Sequence, residues 1–539
     1  MRIALAQVNP TVGDLDGNLA KAQSAATEAA AAGAQLIVFP AHALTGVPLD
    51  GLLSSAAFVA DALDHLARFA ESCPILALVS GITVVEPDED DEDADDDEAF
   101  CSSAIYLLHD GEPEILAVPD LADDDECPVI ELDGESVAVL VEEHFAPDLE
   151  LGGINMLVEM SADAYGEQEA SSAAWGTLER GRSLTTTCHC SLAVVNLCGA
   201  SDGMVFAGGS YVMAPDAKLV HTSPVDDEEI FIYDTQDNNV AALDPKSCEL
   251  NPNELLWRGL VTATRDYVRK NGFTDVLVGL SGGIDSSVVA TIAVDALGAE
   301  HVHGILMPSA YSSEGSLTDA KKLAENLGIP APTVPINDVV ESFEGALADV
   351  CDGGVTGLAA ENLQARIRAV YLMTVSNTFG YLVLNTGNKS EAAMGFSTLF
   401  GDTVGVFAPI GDIYKTDVYD LARWRMEQGE SIPQECIDKA PSAELYPGAT
   451  DQDRLPPYAE LDDLLFDHVE GNMDAGELLH EGHSREMIEK VLPVVKRSEF
   501  KRRLEPLAPK VQGRSFTKDR AWPITNGWVD DSYDKFEDD

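Results

Sequence analysis

The feature that most constrains this chain is an apolar stretch that runs into a glycine-rich turn and then a helix. Residues 276–287 read VLVGLSGGIDSS. The pattern predicts a buried strand over Asp275–Leu280 and a helix over Ser286–Leu297. Paired glycines let the backbone approach a phosphate, and the helix N-terminus presents free N–H groups and the positive end of the helix dipole. We therefore expect a phosphate-binding loop.

Asp285 places a carboxylate where it could hold a Mg²⁺ ion bound to that phosphate. The lysine of an ordinary GxxxxGK[ST] loop is missing, which argues against kinase-like transfer of a γ-phosphate. The surrounding pattern predicts a helix over Glu254–Asn271, a strand over His303–Met307 and a helix over Leu317–Leu327. This β-turn-α-β-α order is typical of a doubly wound parallel sheet in an α/β fold.

A polar, turn-rich segment, Asp234–Leu250, predicts the boundary between two domains, 1–240 and 241–539. The front domain mixes short β-branched stretches with helical ones, which predicts a layered α/β domain. The predicted helices are Leu19–Ala32 and Phe58–Glu71. The predicted strands are Arg2–Val8, Gln35–Phe39, Ile75–Val85, Ala104–Leu108, Ser136–Val141 and Leu192–Leu197.

The charge of the chain is strongly negative and unevenly distributed. It has 94 Asp plus Glu and 33 Lys plus Arg, a formal charge of −61. Such a polyanion repels nucleic acid and anionic lipid, so we expect neither as a partner. The charge is typical of a halophilic-type acidic protein, whose self-repulsion is screened in molar salt. Only six cations lie in residues 1–240: Arg2, Lys21, Arg68, Arg180, Arg182 and Lys218.

Several features predict a cytoplasmic protein. The N-terminal stretch lacks the apolar segment of a secretory signal, and no window approaches 18 apolar residues. Nine cysteines are sparse and cannot all pair, which favours free thiols in a reducing compartment. Cys188-His189-Cys190 is read as buried thiols rather than a metal site. The acidic segment Asp88–Glu98 is read as a solvated loop.

The phosphate loop resembles that of the N-type ATP pyrophosphatases, which attack the α-phosphate of ATP. The segments that follow resemble NAD synthetase over nearly all of residues 250–528. The resemblance is carried by MPSAYSSEGSLTDA (307–320), ENLQARIR (361–368), NTGNKSEAAMGFSTLFGD (385–402), IYKTDVYDLARW (413–424), APSAELYPGATDQDRLPPY (440–458), EFKRRLEPLAPKV (499–511) and DRAWPITNGW (519–528). The loop alone would also allow GMP or asparagine synthetases, but TGNKSE and PSAEL weigh against them.

The resemblance implies a C-terminal adenine nucleotide alpha-hydrolase-like domain that amidates deamido-NAD with ATP and Mg²⁺. An adenylate forms with release of pyrophosphate, and ammonia then displaces AMP. Positioning and charge neutralisation carry such a reaction. The resemblance implies these contacts: ATP with Gly279, Leu280, Ser281, Gly282, Gly283, Ile284, Asp285, Ser286, Ser287, Thr386, Lys415 and Ser442; Mg²⁺ with Asp285 and Glu391; deamido-NAD with Asn362, Arg366, Glu391, Lys501 and more weakly Asp402, Lys510 being a rival to Lys501. Asp285 and Lys415 are the catalytic candidates.

Residues 1–240 resemble the nitrilase-like glutaminase domain of glutamine-dependent NAD synthetases, an α/β/β/α sandwich. The carrying stretches are MRIALAQVNPTVGDLDGN, AGAQLIVFP…LTGVPLDGLL and VVNLCGASDGMVFAGGSYVMAPDAKLV. That family hydrolyses glutamine with a Glu base, a Lys and a Cys nucleophile. Here the corresponding positions hold Ala41, Ile115 and Val141, and no cation occurs between Arg68 and Arg180.

We therefore expect a front domain without glutaminase activity and a synthetase that uses free ammonia, or ammonia released by a separate glutaminase. One alternative is a glutamine-dependent enzyme with a relocated nucleophile. Cys127 and His42 are the substitutes considered. An acidic run before Cys127 would raise its pKa and suppress its thiolate. Both residues are read as loop or packing residues. Another alternative is a non-catalytic scaffold, which the intact Asp285, Thr386, Glu391 and Lys415 weigh against. The resemblance also implies a homo-oligomer, at least a dimer.

Overall fold

A computed structural model describes residues 1–85, 100–121, 127–140, 153–165, 170–237, 241–244, 250–352, 354–530 and 532. Val141 and the acidic segment Asp88–Glu98 lie outside these residues. The chain divides into two compact units. The first comprises residues 1–201 and 205–251, and the second comprises residues 202–204 and 252–539.

The first unit is built from strands and three long helices within its described residues. Its helices are α1 (Leu15–Ala31), α2 (Ala56–Ser72) and α3 (Ala170–Cys188), with short 3₁₀ turns at Asp50–Ser54 and Pro119–Leu121. Its strands are β1 (Arg2–Gln7), β2 (Leu36–Val38), β3 (Leu76–Val85), β4 (Phe100–His109), β5 (Glu112–Ala117), β6 (Val129–Leu132), β7 (Glu135–Leu140), β8 (Met156–Ser161), β9 (Ser191–Asn196), β10 (Ala200–Ser201), β11 (Met204–Val205), β12 (Tyr211–Met213), β13 (Leu219–Thr222) and β14 (Glu229–Asp234).

Two large sheets form the centre of this unit. Within the described ranges one has the order β14-β1-β2-β3-β4-β5 and the other β13-β12-β9-β8-β7-β6. Side chains from the two inner faces, such as Leu5 and Val38 from one and Val139 and Val195 from the other, share one buried cluster. The sheets therefore pack face to face, because alternate residues of each strand point to the same side.

Helices cover both outer faces of the sheet pair. Val59 and Ala62 of α2 pack with Ile82 of β3. On the other sheet, Leu184 of α3 packs with Leu192 of β9. This four-layer arrangement confirms the predicted α/β/β/α sandwich.

The second unit contains a parallel sheet surrounded by helices. Its strands are β15 (Val276–Gly279), β16 (Val302–Ile305) and β17 (Leu382–Val383), in the order β16-β15-β17. Its helices are α4 (Pro252–Lys270), α5 (Ile284–Leu297), α6 (Glu314–Leu327), α7 (Asn337–Leu347), α8 (Leu358–Phe379), α9 (Lys389–Met394), α10 (Lys415–Glu427), α11 (Gln434–Asp438), α12 (Tyr458–Val469), α13 (Ala475–Glu481), α14 (Arg485–Arg497) and α15 (Glu499–Arg502), with 3₁₀ turns at Ala299–His301 and Asp451–Asp453.

Both neighbours of β15 run parallel to it, as the predicted strand–helix alternation requires. Leu277 of β15 packs with Leu372 of α8, while α5 packs against β15 and β16. Single parallel bridges, Leu384 to Phe407 and Phe407 to Leu507, extend the sheet beyond β17. This confirms the parallel-sheet α/β fold.

Some helices begin earlier than predicted because a side chain caps them. Helix α1 starts at Leu15 rather than Leu19, since the Asp14 carboxylate accepts a hydrogen bond from Gly17 N at 3.1 Å. Helix α6 starts at Glu314 rather than Leu317, with Ser313 Oγ accepting from Ser316 N at 3.1 Å. Such caps satisfy N–H groups that have no partner within the helix. In the described parts of the chain, no helix is long and apolar enough to cross a membrane.

Candidate active site

A cavity of about 480 Å³ lies in the second unit, at the carboxyl end of β15. Ligands of open α/β sheets bind at this end of the strands. Its lining includes most of the predicted phosphate loop: Gly279, Leu280, Ser281, Gly283, Ile284, Asp285 and Ser286. Gly282 and Ser287 are outside this lining.

The phosphate loop needs glycine at position 282. Its φ is +78°, and a Cβ there would lie 2.1 Å from the Ser316 carbonyl oxygen. Serine hydroxyls hold the rest of the turn: Ser281 Oγ lies 3.0 Å from Ser286 Oγ and accepts from Gly283 N at 3.2 Å. The turn is thus held by hydroxyls within the motif and packs closely on the backbone of Ser316.

The N-terminus of α5 points its dipole at this loop. Its N-cap residue, Gly283, supplies no side-chain cap. Ser287 Oγ donates to Gly283 O at 2.8 Å, so this hydroxyl is used inside the helix. The first turn therefore offers backbone N–H groups to an anion, which is the arrangement that binds phosphate.

Three charged side chains meet beside the loop. Lys415 Nζ, almost wholly buried, is paired with the Asp285 carboxylate. Burial alone lowers the pKa of Lys415, but Asp285 and Glu391 together raise it above its ordinary value. Burial, and then the charge of Asp285, raises the pKa of Glu391 well above its usual range. Two carboxylates thus share one lysine, a cluster that favours a further positive charge.

The loop before α9 orients these carboxylates. Asn388 forms a capping box with Glu391: Asn388 Oδ1 accepts from Glu391 N at 3.0 Å, and Glu391 Oε2 accepts from Asn388 N at 3.3 Å. Asn388 Nδ2 also donates to Asp285 Oδ1 at 3.2 Å. The donor set fits Mg²⁺, which protein sites hold with one or two carboxylates while substrate phosphates supply further oxygens. No group of three or more metal-ligating side chains occurs in the described residues.

Three residues that were predicted to contact deamido-NAD also lie in the cavity wall. Lys501 Nζ donates to the carbonyl oxygens of Gly395 and Ser397, each at 2.6 Å. Burial raises the pKa of Asp402 to about 6, while its Oδ1 accepts from Thr398 N at 2.5 Å. Asn362 Oδ1 accepts from Thr398 Oγ1 at 2.9 Å. All three predicted residues line the cavity.

The other predicted contacts divide into two groups. Thr386 and Ser442 line the cavity, and Ser442 Oγ also donates to Ala449 O at 2.6 Å. Arg366 and Lys510 are outside the lining. Arg366 Nε donates to Leu399 O at 3.2 Å, and Lys510 Nζ pairs with Asp519 at 3.2 Å. The structure thus brings Lys501 rather than Lys510 to the cavity.

Sequence reasoning missed several residues of the lining. Lys439, Asp451 and Glu505 were not predicted, and neither was the orienting Asn388. Burial raises the pKa of Glu505 to about 7. A sequence signal existed for Lys439 and Asn388 because each lies within or next to a motif, TGNKSE or PSAEL. Asp451 and Glu505 also lie within matching segments, 440–458 and 499–511, but nothing in the sequence shows that they face the cavity.

A buried ionic cluster fastens the C-terminal segment beside the cavity. Lys389 Nζ lies 2.8 Å from Asp412 Oδ1 and 2.6 Å from Glu470 Oε1, and it donates to Arg514 O at 2.7 Å. Asp412 Oδ2 also accepts from Val511 N at 2.9 Å. The residues that follow Arg514 line the cavity: Ser515, Phe516 and Thr517. The cluster therefore holds part of the cavity wall in place.

In the first unit, Ala41 and Ile115 occupy positions that the resemblance predicts for the glutaminase acid and lysine. Ala41 follows β2, and its backbone N–H donates to Ser161 O at 3.2 Å. Ile115 lies on the edge strand β5 with about half of its surface exposed. His42 is partly buried; loss of solvation lowers its pKa, and its Nε2 lies 3.2 Å from Ser103 Oγ. The Ala41 backbone and the His42 ring are thus engaged in contacts within the fold.

Cys127 does not have the surroundings of a nucleophile. Burial, with a smaller effect of Cys188, raises its pKa to about 11, and its thiol donates to Val139 O at 3.2 Å. The raised pKa agrees with the predicted inertness, and burial is its largest cause among the described residues; the acidic run before Cys127 lies outside them. Cys127 and Cys188 pack with Cys190 against the apolar cluster beneath α3. The prediction of a buried thiol holds for Cys190, and Cys188 is only partly buried.

Comparison with protein families agrees with both units. Residues 256–505 match the NAD synthase family, and residues 2–112 match the carbon-nitrogen hydrolase family. Proteins named glutamine-dependent NAD(+) synthetase are similar over 98% of this chain. That of Thermotoga maritima is 37% identical with 98% of its own length covered, and that of Synechocystis is 36% identical with 99% covered.

Solved structures give the same picture. The glutamine-dependent NAD⁺ synthetase of Acinetobacter baumannii, solved with adenosine diphosphate, matches with a TM-score of 0.72 and 30% identity, over 98% of this chain and 99% of that one. The Cytophaga hutchinsonii glutamine-dependent NAD(+) synthetase has the same fold, with a TM-score of 0.79 at 17% identity over 98% of each chain. The chain therefore belongs to the two-domain NAD synthetases, carbon–nitrogen ligases in which a nitrilase-like domain precedes the synthase domain.

Proposed function

We propose that this protein makes NAD by amidating deamido-NAD with ATP and free ammonia. The nicotinate carboxylate attacks the α-phosphorus of ATP and releases pyrophosphate. Ammonia then attacks the adenylated carbonyl carbon, and AMP leaves as the amide forms. The observation that carries the proposal is the cavity in which the phosphate loop, the N-terminus of α5 and the Asp285–Lys415 pair meet.

The phosphate loop and Lys415 would bind and neutralise the triphosphate. Negative charge grows on the phosphate oxygens as pyrophosphate leaves, and fixed N–H groups and a buried ammonium stabilise it without reorganising. Lys415 cannot turn away, because its side chain is enclosed between Asp285 and the rings of Tyr419 and Tyr458. Thr386 and Ser442 are proposed as the remaining ATP contacts.

Asp285 and Glu391 would hold Mg²⁺. The ion would neutralise phosphate charge when bound, and the raised pKa of Glu391 fits a carboxylate that needs a cation beside it. Deamido-NAD would occupy the same cavity. Its proposed contacts are Asn362, Glu391, Asp402 and Lys501 from the lining, and Arg366 from outside it.

The nitrogen source follows from the first unit. Glutamine hydrolysis needs an activated thiolate and a cation for the oxyanion. Ala41 and Ile115 supply neither acid nor cation, and the Cys127 thiol is held in its neutral form by burial. Free ammonia reaches the cavity without any of these groups.

The proposal is tested by measuring NAD formation from deamido-NAD, ATP and Mg²⁺ in high KCl. We expect turnover with ammonium chloride and at least about a hundredfold less with ammonium-free glutamine, because no acyl-enzyme can form. Comparable rates with both nitrogen donors would contradict the ammonia assignment.

The same assay tests whether the reaction takes place in the cavity that contains Lys415. Lys415→Met should lower turnover with ammonium by about 10²–10³-fold, the usual cost of losing one preorganised electrostatic contact. Lys218→Met serves as the control, since Lys218 is a surface residue paired with Asp216 in the first unit. Unfolding temperatures show whether each variant is folded. Full activity in a folded Lys415→Met variant would refute the proposed site.

A glutamine-dependent reaction is the second candidate, favoured by the names of the relatives. It would require a nucleophile outside the expected position, and Cys127 is the thiol considered. Glutamine-supported turnover that disappears in Cys127→Ala, while ammonium-supported turnover persists, would establish it.

We also propose that the protein is at least a dimer, as the family resemblance implies. Helix α8 exposes the apolar side chains of Val370, Met373 and Phe379, which a second copy could cover. Light scattering measures the mass in solution, and a monomer at micromolar concentration would contradict this.

A further inference from the structure

Lys439 is a cavity-lining residue to which the resemblance assigns no role. It follows α11 and lies two residues before the PSAEL motif, which begins at Pro441. Its ammonium group has three partners: the Gly282 carbonyl oxygen at 3.2 Å, Ser316 Oγ at 3.0 Å and Asp319 Oδ2 at 2.7 Å. It therefore joins the phosphate loop to the first turns of α6.

The contact with Gly282 fixes the direction of one peptide group. In a trans peptide the carbonyl and the following N–H point in opposite directions. Lys439 binds the carbonyl of Gly282, a residue outside the cavity lining, so the N–H of Gly283 must point the other way. That N–H meets Ser281 Oγ at 3.2 Å, and both Ser281 and Gly283 line the cavity.

Ser316 reinforces this arrangement. Its carbonyl oxygen occupies the space that a Cβ on Gly282 would need, so the loop rests directly on the α6 backbone. Its hydroxyl accepts from Lys439 and donates to Glu444 Oε1 at 2.7 Å. The segment that carries Ser442, the start of α6 and the phosphate loop are thus tied together at one point.

The ammonium of Lys439 is already neutralised. Asp319, which is buried, accepts the shortest of its three contacts. The charge of Lys439 therefore acts on the loop rather than on a phosphate.

We propose that Lys439 is a positioning residue for ATP, which holds the Gly282–Gly283 peptide, and through its N–H the Ser281 hydroxyl, in the loop conformation that receives the phosphates. The inference rests on the proposed ATP-dependent function and extends it to a residue outside the loop. It predicts that loss of Lys439 weakens the binding of ATP and leaves the binding of deamido-NAD unchanged.

The test measures binding of α,β-methylene-ATP, which cannot be cleaved at the reacting bond, by calorimetry with Mg²⁺. We expect Lys439→Met to raise its Kd about tenfold, the cost of losing one charged hydrogen bond to the loop. In turnover assays the KM for ATP should rise similarly while the KM for deamido-NAD stays within about twofold. Lys322→Met is the matched control, because Lys322 pairs with Glu435 on the exposed side of α6.

Lys439→Met leaves Asp319 buried without its partner, which lowers stability. The double variant D319N/K439M removes that charge, so it should recover the unfolding temperature without recovering the affinity for α,β-methylene-ATP. Unaltered affinity in the double variant would overturn the inference, as would an equal rise of the KM values for ATP and deamido-NAD. Failure of the unaltered protein to bind the analogue would instead overturn the proposed ATP site, and the inference with it.

Discussion

The two units of this acidic chain place their cations differently. Residues 1–240 hold 46 Asp plus Glu and only six Lys plus Arg, a net charge of −40. The Arg2, Lys21, Arg68 and Lys218 side chains are all more than 40% exposed there. In the second unit, Lys389, Lys415, Arg502 and Arg520 are buried.

This difference in burial shows how a strongly acidic protein can bind an anionic ligand. A lysine on an acidic surface is screened by water and salt, so it contributes little to stability or binding. A lysine buried among carboxylates keeps its charge and its direction. The unit that carries the phosphate loop therefore differs in two ways: it holds most of the cations, and it excludes water from several of them.

The largest expected effect concerns salt. Both units should unfold in dilute buffer and fold as KCl approaches molar concentrations, since a charge of −61 repels itself until counter-ions screen it. Calorimetry across a KCl series should show the unfolding temperature rising by on the order of 10 °C or more, with NAD synthesis rising in parallel. A protein that is most stable and most active in dilute buffer would refute this prediction.

A smaller effect separates buried from exposed cations. Lys389→Met should lower the free energy of unfolding of the second unit by about 3–5 kcal/mol, because Asp412 and Glu470 lose their buried partner. The surface change Lys218→Met should cost less than about 0.5 kcal/mol. Denaturant titrations in high KCl measure both free energies of unfolding. Equal losses in the two variants would contradict the distinction between buried and exposed cations.

The smallest effect concerns a partly buried acid, Glu505. The folded-state pKa of Glu505 is about 7, above the ordinary 4.5, so the folded protein binds more protons between these values and loses stability as the pH rises through them. Glu505→Gln should therefore raise the free energy of unfolding by about 1–3 kcal/mol at pH 8 and by little at pH 5. Glu460→Gln, an exposed change, is the control. A gain that does not depend on pH would contradict this explanation.

The sequence predicted those parts of the fold and site that depend on local pattern. Strand β15, the glycine turn and helix α5 each follow from residues close together in the chain. Position 282 requires glycine for two reasons: its positive φ and the nearby Ser316 carbonyl oxygen. Only the contact with Ser316 could not be predicted from the sequence. The sandwich of the first unit followed from its resemblance, and the alternating strands agreed with it.

The remaining features depend on contacts between distant residues. Lys439 meets Gly282 across 157 positions, and Lys389 meets Arg514 across 125. Neither pairing follows from spacing or periodicity, because any acid or carbonyl could partner a lysine. Arg366 shows the opposite limit: it stands in a matching motif, yet its guanidinium bonds to Leu399 O. A motif predicts that a residue is present and leaves its direction to the tertiary structure.

The C-terminal segment that Lys389 holds, residues 514–517, also sets the time at which the site is completed during synthesis. The cavity is lined from Gly279 to Thr517, a span of 238 residues. At about 5–20 residues per second, a ribosome needs on the order of 10–50 s to add the last wall after the phosphate loop is made. A nascent chain therefore carries an incomplete nucleotide site throughout that interval, so adenylation of a dinucleotide must wait for the C-terminal residues to fold back onto Lys389.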